Sequence, residues 1–197
     1  MSGDDLPAIV RVRYSVCQER TLSYLVQTTG RKIWLPRDCE DITPQIAEVL
    51  RGFWSQWQTF ALYVVHDGPE CFTYCPTSVR TRPYMVLSEA RILDMRASLS
   101  MENASILAHE LGHYLTWARL PGGVRKKVSA PAWRPKLEAL AFRASMDFLY
   151  PRWPRTEVDA HLEASTAAGP VYREAYDLAK TLPNYKKSFL DLFDGMI

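Results

Sequence analysis

From Ala8 to Val16 the chain alternates, with Val10, Val12, Tyr14 and Val16 on one side of an extended backbone and Arg11, Arg13 and Ser15 on the other. That period of two marks a half-buried strand. TLSYLVQ and KIWLP follow on either side of Thr29-Gly30, a turn signal that predicts a hairpin. The period then changes. Thr43-Pro44 supplies an N-cap and a first-turn proline, after which Ile46, Val49, Leu50, Phe53 and Trp57 recur at helical spacing to about Gln58. The aromatic rings of Trp54 and Phe60 are read as core packing rather than as a binding stripe. FALYVVHDG, ECFTYC and PYMVLSE predict three further strands, and an antiparallel sheet layered with helix is expected.

The second half of the chain is helical in pattern. Ser100 is placed to cap a helix through MENASILAHELGHYLTWARL that stops before Pro121-Gly122-Gly123. Another helix begins near Pro135, carries Leu137, Leu140, Ala141, Ala144 and Phe148 on its core face, and ends at Pro151. From Glu157 the pattern predicts two or three short helices, broken at Gly169-Pro170 and Leu182-Pro183. The last has an apolar face of Tyr185, Phe189, Leu192 and Phe193, to be buried internally or on a second subunit. The expected class is α+β, with an N-terminal β unit over 1–40, a core over 41–151 and a C-terminal helical extension over 152–197.

Composition narrows the function classes. At 197 residues with 47% hydrophobic positions the chain can fill a sizeable core, which excludes disorder and small disulfide scaffolds. Its 24 Lys+Arg against 22 Asp+Glu leave a net charge of +2, which argues against direct nucleic-acid binding driven by bulk charge. The start MSGDDLPAIV lacks a basic, continuously apolar leader, and no segment reaches membrane-spanning length, so a cytoplasmic protein without membrane partners is expected. Cys17, Cys39, Cys71 and Cys75 are then read as reduced thiols, with a four-cysteine zinc site as the alternative and Cys17–Cys39 as the first pairing in an exported chain.

The candidate chemistry lies in the Ser100 helix, as His109-Glu110-Leu111-Gly112-His113. Histidines four apart stand one helical turn above each other, so both imidazoles reach one metal ion. Glu110 sits just off that line, where its carboxylate serves better as a base toward water than as a ligand. A third protein ligand is needed. The metzincin extension fails, since Thr116 and Arg119 occupy the positions of its Gly and His. His161, Glu138 and Asp147 are the remaining candidates, Glu138 because a helix antiparallel to the first would present it. For a second oxyanion donor the chain offers His161, Tyr150 and Tyr172, and Glu102 is a candidate for an outer role. Arg119, Arg125, Lys126, Lys127, Arg134 and Lys136 crowd the connection between the two helices, either as a solvated loop or as a rim attracting acidic substrate.

HELGH on one helix, then Glu138, Ala141, Phe148, Leu149 and Pro151 on and after the next, resembles the ImmA/IrrE family of metallopeptidases over roughly residues 42–151. The resemblance implies a zincin-like core with an antiparallel sheet and active-site helices. It also implies that His109, His113 and Glu138 bind Zn2+ or another divalent ion, with Glu110 as catalytic base. The implied substrate is a protein, typically a DNA-binding helix-turn-helix repressor. Two features depart from the family: Phe142 stands where an Asn is usual, and the β unit of 1–40 is not part of the usual core. The expectation is a zinc-dependent endopeptidase of gluzincin type. A toxin or effector metalloprotease, and a non-hydrolytic zincin-fold module gripping a transcription regulator, are the alternatives.

Overall fold

The computed structural model describes residues 11–17, 42–53, 59–65, 71–77 and 83–197. The expected hairpin around Thr29-Gly30, Cys39, His66 and the Trp54–Gln58 end of the first helix lie outside the described residues. Strands β1 (Arg11–Cys17), β2 (Thr59–Val65), β3 (Cys71–Tyr74) and β4 (Tyr84–Ser88) form one sheet in the order β1-β2-β4-β3. Together with the helices they make an α+β protein, as the hydrophobic pattern predicts.

The direction of the strands differs from the expectation. β1 runs parallel to β2, β2 runs parallel to β4, and β3 alone is antiparallel, to β4. The wholly antiparallel sheet is therefore corrected to a mixed one. A period of two carries no direction, whereas a parallel pair requires a connection long enough to cross over. Residues 18–58, with helix α1 (Thr43–Phe53), provide that length between β1 and β2. β3 adds outside β4, so the chain doubles back through it and β4 returns alongside β2. All five β4 residues are buried, which suits a run, Tyr84-Met85-Val86-Leu87, without alternation.

The helices follow as α2 (Glu89–Ala97), α3 (Met101–Arg119), α4 (Gly122–Val128), α5 (Arg134–Leu149), α6 (Arg155–Ser165), α7 (Pro170–Thr181) and α8 (Tyr185–Leu192). Ser100 caps α3 as expected, its hydroxyl accepting from the Asn103 N–H at 3.3 Å. The basic connection read as a loop is in part the short helix α4, in which Arg125 is buried and donates from Nε to the Leu120 carbonyl at 2.8 Å. The last helix docks internally. Tyr185, Phe189 and Phe193 are buried, and Phe193 stacks on Trp133 with ring centroids 6.0 Å apart. Among the described residues no helix is long and apolar enough to cross a membrane.

α3 and α5 form the most extensive helix pair. The contacts Ser105–Ser145, Gly112–Ala141 and His113–Glu138 run in opposite chain order, so the two helices are antiparallel. α1 packs against both α5 and α3, and a Cβ on Gly52 would stand 3.2 Å from the Phe148 Cα. The Ser105 to Ser145 span is thus a packed core, with the Ser145 hydroxyl donating to the Ser105 carbonyl at 3.1 Å.

Candidate metal centre

α3 places His109 and His113 one turn apart, and the first turns of α5 bring Glu138 against both. His113 Nε2 lies 3.2 Å from His109 Nε2 and 3.2 Å from Glu138 Oε2, and His109 Nε2 lies 3.3 Å from the same oxygen. These atoms form a nearly equilateral triangle. Ligands held tetrahedrally at about 2.0–2.1 Å from an ion stand about 3.3–3.4 Å from each other, so the triangle has the size such an ion requires. The His109, His113 and Glu138 group could hold a metal ion. Of the three candidates for the third ligand, Glu138 is the one brought to the histidines.

Glycine makes this approach possible. A Cβ on Gly112 would meet the Ala141 Cα at 3.1 Å and the Ala144 Cβ at 3.0 Å, so the smallest residue lies where α3 and α5 are closest. The histidine rings are held by packing rather than by polar partners alone. Phe142 meets His109 edge to face at 5.1 Å, and Tyr176 backs Phe142 at 5.8 Å. Phe142 therefore supplies an aromatic wall beside the histidines.

Charge in the centre is strongly coupled. Burial alone would raise the Glu138 carboxyl, but its hydrogen bonds with His109 and His113 prevail and hold it well below the usual carboxylate range. Burial likewise disfavours protonated His113, and the Glu138 carboxylate outweighs it, so the His113 pKa is raised. Arg134, one turn before Glu138, approaches its other oxygen with Nε at 4.0 Å.

Glu110 is placed differently from its neighbours. Its Oε2 is buried and has no hydrogen-bond partner among the described residues. Its backbone carbonyl accepts from the Thr73 hydroxyl at 3.0 Å, which ties edge strand β3 to α3. Cys71 and Thr73 share one face of β3, and Cys75 follows directly after the strand. Cys75 is pushed up to about 12, by burial and then by the Glu110 and Glu138 carboxylates, and stays a thiol at neutral pH. Glu110 and His109 line a cleft of about 220 Å³ with Cys71, Ser105, Ile106, Phe142, Leu162, Ser165 and Tyr172.

The remaining predicted residues separate cleanly. Tyr172 lines that cleft, and its hydroxyl oxygen accepts from Arg134 Nη2 at 3.4 Å. Tyr150 does not reach it. Twelve residues beyond Glu138, it stands about 18 Å further along the helix direction, and its hydroxyl donates to Asp159 Oδ1 at 2.7 Å. His161 lies on α6 beside Leu162 but is not in the lining of the cleft. Glu102 is engaged at the surface with Arg91 at 2.9 Å, and Asp147 is committed to Arg143 at 2.6 Å and to the Tyr185 N–H at 2.7 Å. Arg134, Thr73 and the packing role of Phe142 were not read from the sequence as parts of the centre. The one signal available for Arg134 is its position four residues before Glu138.

Comparison of the chain with protein-family models, with curated proteins and with solved structures returns no match.

Proposed function

We propose that this protein is a zinc-dependent endopeptidase with a zincin-like catalytic core. The observation that carries the reading is the buried Glu110 Oε2, unpartnered among the described residues, beside a ligand triangle of tetrahedral size. A buried carboxylate oxygen without a partner is costly, and a module that only gripped another protein would have no use for one at this position. The HELGH motif with Glu138 and the resemblance to ImmA/IrrE metallopeptidases support the same reading.

His109, His113 and Glu138 would hold the ion. When bound, zinc supplies a Lewis acid that lowers the pKa of water and polarises a carbonyl. Glu110 Oε2 takes the proton of the attacking water and holds it within the cleft, away from competing donors. It then returns that proton to the amine of the departing half of the peptide. Tyr172 is the donor to the developing oxyanion: its oxygen accepts from Arg134, which leaves the phenolic proton to point elsewhere. Phe142 and Ile106 exclude water from the walls. A specific protein, such as a helix-turn-helix repressor, is the substrate class that the resemblance suggests.

The test is Glu110→Gln. The variant is expected to bind zinc as the unchanged chain does and to lose peptide hydrolysis by at least about a hundredfold. Hydrolysis at the full rate by Glu110→Gln would end the proposal.

A further inference from the structure

We propose that the cleft beside Glu110 is a pocket for one apolar side chain of the substrate, adjacent to the cleaved bond, and that the C-terminal helices α6 and α7 select it. The inference rests on the peptidase reading and adds the substrate's chemistry to it. Three walls of the cleft are apolar: Ile106 from α3, Phe142 from α5 and Leu162 from α6. Of the polar lining residues from α6 and α7, Ser165 is already engaged and Tyr172 is the oxyanion donor proposed above. Ser165 donates to the Leu162 carbonyl at 2.6 Å, and the Tyr172 oxygen accepts from Arg134.

Size and charge both restrict the occupant. About 220 Å³ is below the roughly 300–1,000 Å³ of sites that engulf a whole drug-sized ligand, so a single side chain is the natural guest. Glu110 is the only carboxylate among the described lining residues, and an acidic side chain would be repelled by it. A basic side chain would pair with Glu110 and quench the base. An apolar side chain of leucine or phenylalanine size meets neither objection. Leu162, Ser165 and Tyr172 all come from 152–197, so the extension that carries no motif forms the wall facing Ile106 and His109.

Methyl NMR on the full chain tests this, with N-acetyl-leucine amide and N-acetyl-glycine amide as probes, first without added metal and then with zinc. The leucine probe should shift the Ile106 and Leu162 methyl signals and bind at least about tenfold more tightly than the glycine probe. Ser165 is exposed, so Ser165→Trp fills the mouth without disturbing the core and should abolish the preference. Leu162→Ala deepens the pocket and should move the preference toward N-acetyl-tryptophan amide. Equal binding of the leucine and glycine probes would overturn the inference, even if the zinc-loaded chain cleaves peptides. A leucine preference that Ser165→Trp removes, in a chain that cleaves no peptide, would retain the pocket and discard the peptidase reading.

Discussion

Gly112 faces Ala144 across the α3–α5 contact so closely that a Cβ on the glycine would stand 3.0 Å from the alanine Cβ. The second atom in its way, the Ala141 Cα at 3.1 Å, belongs to the backbone and cannot rotate aside. Gly112→Ala therefore sets two effects against each other. Helix propensity favours alanine by about 1 kcal/mol, while overpacking a tight contact costs about 1–3 kcal/mol. The net expectation is a loss of up to about 2 kcal/mol in urea unfolding. Because Glu138 is one turn from Ala141, a weaker zinc affinity should accompany it. A stabilised Gly112→Ala chain with unchanged zinc affinity would show that this contact does not set the ligand spacing.

Glu138 and Asp147 share α5 and differ in what they hold. Glu138→Gln removes a corner of the ligand triangle, and zinc affinity should fall by more than the about 10–100-fold that follows loss of an outer partner. Asp147→Asn should leave zinc affinity where it is. Its carboxylate pairs with Arg143 and accepts the Tyr185 N–H, so the expected loss is about 1–3 kcal/mol of stability. Competition against a chromophoric chelator, run beside urea unfolding on both variants, separates the two roles. Zinc loss in Asp147→Asn would mean that the wrong carboxylate has been assigned.

What the sequence made legible were the features written in one stretch of chain. The Ser100 cap, the helix carrying His109 and His113, and the helix from Pro135 to Pro151 are all local patterns, and the structure has α3 and α5 there. Strand direction was not legible, because β1 and β2 are joined through a crossover that a period of two does not record. The third ligand was read as Glu138 over His161 and Asp147 partly through the family resemblance, because spacing alone does not fix it. It depends on the register of α3 against α5, which Gly112 and Ala141 settle by contact. Seven-residue α4 was read as loop because Gly122-Gly123 and a run of basic residues give no apolar period.

The coupling of His113 with Glu138 predicts a pH dependence that zinc reverses. In the chain without metal, Glu138 is depressed, so its contribution is present above its ordinary value of 4.5 and is lost as pH falls through the lowered one. His113 is raised, so its contribution is complete below 6.5 and is lost as pH rises through the higher value. Stability from the pair is greatest between those ordinary values. With a chelator present, the unfolding temperature should decline from about pH 6.5 upward. With zinc present, the stabilisation due to the metal should instead grow over the same range, since the ion requires neutral histidine. Thermal unfolding at a series of pH values, with and without chelator, gives both curves. Parallel curves would deny that His113 and zinc share a site.

Tyr185 connects the C-terminal segment to the centre without touching it. Its hydroxyl donates to the Gly112 carbonyl at 3.0 Å and lies 3.0 Å from the Thr116 hydroxyl, so α8 is bonded to the motif helix directly behind the ligands. Its ring meets Phe53 edge to face at 5.2 Å, which adds α1 to the same junction. Tyr185→Phe keeps the ring contact and removes the hydroxyl from a buried site, at an expected cost of about 1–3 kcal/mol. Zinc affinity should change little, because the ligand side of α3 keeps its packing against Phe142 and Ala141. Ending the chain at Thr181 is a far larger change, since it uncovers Phe53, Trp133 and the Thr116 face of α3 together. That shortened chain is expected to lose its cooperative unfolding transition, measured by circular dichroism. If instead it unfolds at the temperature of the full chain, α8 is an appendage and its junction with the motif helix supports nothing.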